Sequence, residues 1–355
     1  MSLVKCDKTG FVVKPRYCYI GSLGAGVAST VACFSDTIKK QNVAIKRSSI
    51  KTGNPNQAFR ELAFLRMCNH KHIIKLLDAW RDDTSLYFAQ EMGTCNLQEY
   101  LEGNPIQSMD EVARLSAQIF SGVNHIHKLQ IIHADLKYGN VDLKYGNVVI
   151  AGPKNDAKLI DFDRLIPASE AAKNKSPYRG TVGYEAPELI MGGAFDFKAD
   201  CWSVGVIIAE MIIADSYLFE AEPGQPLLDL YHQTLKTPSE KYLKSINVDF
   251  YDAYFKDKTY PGKSWAEILD EKIVMKSCTK DEKIAFYDLL SSLITFDPIE
   301  RLSMSDAMKH KFVAKFCEEE EEDASKSRQY DPTIEKQLLN DWRQAFDSEL
   351  EYFNE

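Results

Sequence analysis

Ile131-Ile132-His133-Ala134-Asp135-Leu136-Lys137-Tyr138-Gly139-Asn140 leads directly into Val141-Asp142-Leu143-Lys144-Tyr145-Gly146-Asn147-Val148-Val149-Ile150. The apolar ends, Ile131–His133 and Val148–Ile150, read as short strands, and Ala157–Phe162 follows as a third across a turn at Gly152–Asp156. Between the first two strands an aspartate, a lysine and an asparagine recur at fixed spacing, because Asp135–Val141 and Asp142–Val148 are identical. Seven residues is far below the period of a solenoid unit, so this is a local duplication and not a repeat fold.

On the N-terminal side, Val112, Leu115, Ile119, Val123 and Ile126 form one apolar stripe and predict a buried helix over Val112–His127. Earlier still the chain is strand-rich. Val12–Ile20, Ala28–Phe34, Asn42–Lys46 and Ser85–Gln90 carry β-formers, and a helix from about Gln57 to Cys68 interrupts them. Beyond Leu97 helices dominate, at Ala199–Ala214, Leu227–Leu235, Glu282–Ile294 and Ser305–His310. The acidic run Glu318–Asp323 marks the end of the domain. Past it, Leu338, Leu339, Trp342, Phe346, Leu350 and Phe353 fall at helical spacing and predict a tail helix that packs on its own domain in preference to a partner.

A chain of 355 residues suits two lobes plus an appendage. The net charge of -9 argues against a general nucleic-acid or anionic-membrane binder. Eight cysteines are scattered without a C-x-x-C pair, which points to reduced intracellular thiols and to neither zinc nor disulfides. Met1–Cys18 lacks the apolar core of a signal peptide, and the longest apolar stretch, Val204–Ala214, is interrupted by Glu210 and too short to span a bilayer. A soluble, intracellular protein without a membrane partner is expected.

Phosphoryl transfer needs a cradle for triphosphate, a cation on its oxygens, metal ligands and a carboxylate that orients the acceptor. Leu23-Gly24-Ala25-Gly26-Val27-Ala28-Ser29-Thr30-Val31 has glycines that let backbone amides approach phosphates, although such a run alone is more often an ordinary turn. Val43-Ala44-Ile45-Lys46 ends an apolar strand on a lysine twenty-two residues after Gly24, and Glu61 on the next helix can hold it. Lys158-Leu159-Ile160-Asp161-Phe162-Asp163 adds carboxylates directly after a strand.

This ordered set resembles the eukaryotic protein kinase superfamily over roughly Tyr17–Phe316. Pro55-Asn56-Gln57-Ala58-Phe59-Arg60-Glu61 is similar to the P-S-T-A-I-R-E helix of the cyclin-dependent kinase family, of which the chain looks like a divergent member. Ala186-Pro187-Glu188 resembles the A-P-E element, and Asp200-Cys201-Trp202-Ser203-Val204-Gly205 the D-x-W-S-x-G helix start that braces the catalytic loop. The resemblance implies an α+β, bilobal protein-kinase fold with a small β-rich N-lobe (about 17–92) containing one helix and a larger α-helical C-lobe (about 93–316). An extension (1–16) would precede it, and an acidic linker with an amphipathic helix (317–355) would follow. It implies a Ser/Thr kinase that uses ATP and Mg2+ on protein substrates, with Asp135, Lys137, Lys46 and Glu61 catalytic and Asn140 and Asp161 binding the metal. Gly24, Ala25, Gly26, Val31, Ala44, Lys46, Glu91, Met92 and Val149 would contact the nucleotide, and Gln90 would be the gatekeeper. Glu188 would pair with Arg301, and Thr181 fits the loop of Ser/Thr-type enzymes. A cyclin-like subunit is expected on the Pro55–Glu61 helix, where Phe59 is either a docking residue or a core residue. The alternative is a pseudokinase acting as an ATP-binding or scaffolding module.

The departures from the family pattern are local. Ala134 replaces the arginine that gathers an activation-loop phosphate, so weak dependence on Ser176 phosphorylation is predicted. Ser176→Ala should retain activity in a phosphate-incorporation assay, and near-complete loss would refute this. Asp163 replaces the D-F-G glycine, and aspartate tolerates left-handed backbone better than most residues. Glu185 stands where relatives have an arginine that shapes a proline pocket. The duplication leaves two routings open. An apolar side chain should follow the metal-binding asparagine by two residues; Val149 does so after Asn147, whereas Asp142 after Asn140 would bury an unpaired charge. If Asn140 is used, residues 141–147 bulge before the strand resumes. If Asn147 is used, the bulge lies between His133 and Asp142. Direct anchoring of Asp135 by His133 favours the first.

Overall fold

The computed structural model describes residues 3–26, 29–50, 53–139, 146–173, 180–213, 217–220, 226–246, 252, 255–273, 275, 278–317 and 344–353. The chain forms two compact units: one comprises Met1–Thr94, Ile160–Leu165 and Glu322–Glu355, the other Cys95–Leu159 and Ile166–Glu321.

In the first unit the strand pair β1 (Val4–Lys5) and β2 (Val12–Val13) precedes a five-stranded antiparallel sheet. Its members are β3 (Tyr17–Ala25), β4 (Ser29–Asp36), β5 (Gln41–Ser49), β6 (Leu76–Arg81) and β7 (Ser85–Glu91), in the order β3-β4-β5-β7-β6. One core cluster gathers Phe11, Tyr17, Phe34, Val43, Ile45, Trp80 and Tyr87, with Trp80 stacked on Tyr17 and on Tyr87. Alternate side chains of β5 leave that core on the opposite face, which is where Lys46 emerges.

Helix α1 (Pro55–Met67) starts where the sequence favours a start. Asn54 caps it by accepting from the Asn56 N–H, and Pro55 fills the first turn. Phe59 is fully buried, and its ring meets Phe346 edge-on at 5.5 Å. Phe346 lies in a helix over residues 344–350, whose Ala345 and Leu350 are also buried. Ion pairs Arg66–Glu349 and Arg81–Asp347, the latter with two bonds of 2.7 Å, fasten the same segment. The predicted tail helix thus packs on its own unit, and Phe59 is a core residue. Leu338, Leu339 and Trp342 lie outside the described residues.

The second unit begins with β8 (Cys95–Asn96), α2 (Leu97–Gly103) and α3 (Met109–Lys128). The predicted stripe of α3 is buried along its length, because 3.6-residue spacing puts all five side chains on one face. Next come β9 (Ile131–Ile132), β10 (Val148–Ala151), β11 (Asp156–Leu159) and β12 (Ile166–Pro167). β10 pairs antiparallel with β11 and β8, and β9 pairs with β12. Helices α4 (Ala168–Ala171), α5 (Pro187–Ile190), α6 (Lys198–Glu210) and α7 (Leu227–Thr234) follow. Every residue of α6 from Ala199 to Glu210 is buried. The expected Glu188–Arg301 pair is present as a bidentate bridge with two contacts of 2.7 Å, both partners buried. No helix among the described residues is long and apolar enough to cross a membrane.

Candidate active site

In the first unit, the register of β5 sets Lys46 opposite Val31 on β4 and Phe88 on β7. Its buried ammonium donates to Glu61 Oε1 at 2.8 Å and Oε2 at 3.0 Å, and to Asp161 Oδ1 at 2.7 Å. Burial opposes the charge on Lys46, but Asp161 and Glu61 together overcome it and hold its pKa above the usual lysine value. Burial pushes Glu61 up to about 7 against the pull of Lys46. The causes differ: the carboxylates raise Lys46, whereas removal from water raises Glu61.

Asp161 sits in left-handed backbone at φ 64°, while Asp163 does not adopt positive φ. The strained position of the Asp161–Asp163 segment is therefore the carboxylate itself, a residue type that tolerates it. The turn sends Phe162 under α1, fully buried against Phe64 with ring centres 4.7 Å apart. The β3–β4 hairpin brings Gly24 opposite Val31 and Ala25 opposite Thr30, and the Gly26 N–H donates to Ser29 O at 2.7 Å. Val27 and Ala28 lie outside the described residues. Ala44 pairs with Gln90 across β5 and β7, and Glu91 ends β7, followed by Met92. Gln90 is buried, and its Nε2 has no hydrogen-bond partner among the described residues.

In the second unit, Asp200 at the start of α6 clamps the loop after β9. It accepts from the His133 N–H at 2.8 Å, the Ala134 N–H at 2.9 Å and His127 Nε2 at 2.9 Å. Burial would raise its pKa, but the bond and charge of His127 hold it below the ordinary carboxylate value. The clamp fixes Ala134 at φ 66°, a cost for alanine that the two amide bonds offset. Asp135 follows, nearly buried. Its Oδ1 accepts from Thr181 Oγ1 at 2.8 Å, and Lys137 Nζ lies 3.4 Å from both Asp135 Oδ2 and Thr181 Oγ1.

Among the described residues, the asparagine beside Asp135 is Asn147. Its Nδ2 donates to Asp135 O at 2.5 Å, and its backbone N–H donates to Lys137 O at 3.0 Å. Asn140 lies outside the described residues, as does Ser176. This contact joins the aspartate of one copy to the asparagine of the other. Val149 is half-buried on β10, opposite Asn96 and Lys158.

One buried pair escaped the sequence reading. Tyr184 Oη donates to Glu210 Oε2 at 2.5 Å, and the Leu218 N–H donates to Glu210 Oε1 at 3.0 Å. Only the interruption of the apolar run 204–214 by Glu210 hinted at it. Burial pushes Glu210 up to about 7 despite these bonds. A folded-state pKa above the usual glutamate value means stability that is full at low pH and falls as pH rises through about 7. Glu210→Gln should remove this slope, so that the wild-type melting temperature falls relative to the variant between about pH 5 and pH 8. Parallel curves would show that Glu210 is ionised throughout.

Residues 17–313 match the protein kinase domain family. The stress-activated protein kinase JNK of Suberites domuncula is 29% identical over 362 residues, covering 98% of this chain and 96% of its own length. The stress-activated protein kinase JNK of Drosophila melanogaster is 28% identical over 364 residues, covering 98% and 94%. GLH-binding kinase 1 of Caenorhabditis elegans is 27% identical over 364 residues, covering 97% and 90%. None of the three is named as cyclin-dependent, so the narrower resemblance carried by Pro55–Glu61 finds no support in them. A match that runs from the first residue of β3 to Val313 decides the broader one: the chain belongs to the protein kinase domain family, as an ATP-dependent protein serine/threonine kinase.

Proposed function

We propose that this kinase transfers the γ-phosphate of ATP to protein Ser/Thr hydroxyls in the manner of the stress-activated kinases it is similar to. The observation that carries the reading is the Lys46 ammonium held at once by Glu61 and Asp161. In protein kinases the Lys–Glu pair and the metal-binding aspartate must both be in place before transfer. Lys46 would meet α/β-phosphate oxygens. Gly24, Ala25, Gly26, Val31, Ala44, Glu91 and Met92, all on or just after the strands of the first unit's sheet, would contact the nucleotide, and the unpartnered Nε2 of buried Gln90 is a donor that a base can satisfy. Asp135 would orient the acceptor hydroxyl and take its proton, with Thr181 fixing one carboxylate oxygen and Lys137 steadying the transferred group.

The donor chemistry suits Mg2+. Asp161 offers hard oxygen, and no cluster of three or more His, Cys, Asp and Glu among the described residues could hold a metal alone. Mg2+ is ordinarily held by one or two carboxylates plus substrate phosphates. When bound, it neutralises charge on the phosphate oxygens.

Asp161→Asn is the sharpest test, because asparagine also accepts left-handed backbone and so changes charge without changing the turn. Incorporation of labelled phosphate into a generic protein substrate should fall by at least about a hundredfold. Equal incorporation by both proteins would reject transfer and favour the scaffolding alternative. A cyclin-like subunit on Pro55–Glu61 would have to displace Phe346 from Phe59. The reading favoured here is that the chain's own tail holds α1.

A further inference from the structure

We infer that the catalytic segment is spliced from both copies of the repeat: the first supplies Asp135 and Lys137, and the second supplies Asn147 as the asparagine that meets Mg2+. This rests on the kinase reading above. Within either copy, aspartate and asparagine are five residues apart, yet among the described residues the contact is between Asp135 and Asn147, twelve apart. The second strand explains the choice. β10 begins at Val148, with Val148 opposite Leu159 and Val149 opposite Asn96, so the sheet fixes Asn147 one residue before its edge. The first strand and Asp200 fix Asp135 from the other side. The two anchors hold different copies.

The junction is closed by backbone atoms. Besides the Asn147 N–H bond to Lys137 O, Gly146 presses on Tyr138 so closely that a Cβ there would lie 1.9 Å from Tyr138 O and 2.6 Å from its carbonyl carbon. Only glycine fits. Gly139, the matching residue of the first copy, would instead place a Cβ 1.8 Å from Gln98 Oε1, the far end of a flexible side chain. The bond from the Asn147 N–H to Lys137 O joins residues of both copies at the site. The Asn147 amide has one donor end and one acceptor end. Its nitrogen is turned to Asp135 O, so the oxygen is the end a cation would use.

The test uses the full chain and two readouts: incorporation of labelled phosphate, and the extra rise in melting temperature that ATP gives with Mg2+ compared with EDTA. Asn147→Ala should lower incorporation by at least about tenfold and abolish the Mg2+-dependent rise. Asn140→Ala and Asp142→Asn should leave both within about twofold of wild type. Gly146→Ala should impair incorporation far more than Gly139→Ala. Deleting residues 141–147 restores a single copy with ordinary spacing and should preserve transfer. In that shortened chain Asn140→Ala should then destroy what it left intact in the full one. Loss of both readouts on Asn140→Ala in the full chain, or insensitivity of both to Asn147→Ala, overturns the splice. A wild type that transfers no phosphate but needs Asn147 for its Mg2+-dependent rise would sink the kinase reading and keep the splice. A wild type that transfers phosphate through Asn140 would do the reverse.

Discussion

Lys46→Met is expected to cut phosphate transfer by on the order of a hundred- to a thousandfold and to destabilise the first unit at the same time. The activity loss follows from removing the cation proposed for the phosphate oxygens. The stability loss follows from the neighbours. Glu61 is wholly buried, and its two oxygens accept from Lys46 Nζ. Without the ammonium it must protonate or stay charged away from water, and breaking a buried pair from one side typically costs about 3–5 kcal/mol. Adding Glu61→Gln removes the stranded charge, so the double variant should recover most of the denaturant midpoint and none of the activity. A double variant no more stable than Lys46→Met would show that the lysine stem, and not the charge, supports the core. Retained transfer by Lys46→Met would remove the lysine from the chemistry.

Phe346→Ala is the second large effect. Its ring is fully buried and meets the buried Phe59 edge-on, so truncation opens a cavity against α1 at a cost of about 3–5 kcal/mol. Glu61 lies two residues beyond Phe59 on the same helix. The Michaelis constant for ATP should therefore rise together with the fall in urea midpoint. Asp347→Ala, which breaks only a half-exposed pair with Arg81, should cost less than about 1 kcal/mol. Equal effects of the two substitutions would mean that the tail is held by charge and not by its rings.

Much of this was legible in the sequence because the informative patterns are short. An apolar strand ending on Lys46, a capped helix carrying Glu61, and the run to Asp161 each need only local spacing to be read. The stripe of α3 and the tail residues Phe346 and Leu350 were legible for the same reason, since helical periodicity is a property of neighbours in sequence. What the tail helix packs against was not, because its target lies nearly three hundred residues away at Phe59. That Asn147 touches Asp135 was illegible for a different reason. Asn140 and Asn147 have the same local context, and only the strand pairings on either side distinguish them. Asp163 drew attention as a replaced glycine, but the left-handed turn falls two residues earlier, where no pattern of residue types marks it.

The bond from the Asn147 N–H to Lys137 O has a practical use. Because that bond already joins Lys137 to Asn147, an insertion after Gly139 lengthens a span whose two ends are held together. Closure entropy grows slowly with loop length, about 0.6 kcal/mol for each doubling. A short peptide tag inserted after Gly139 should therefore cost little stability, and an unchanged urea midpoint would show it.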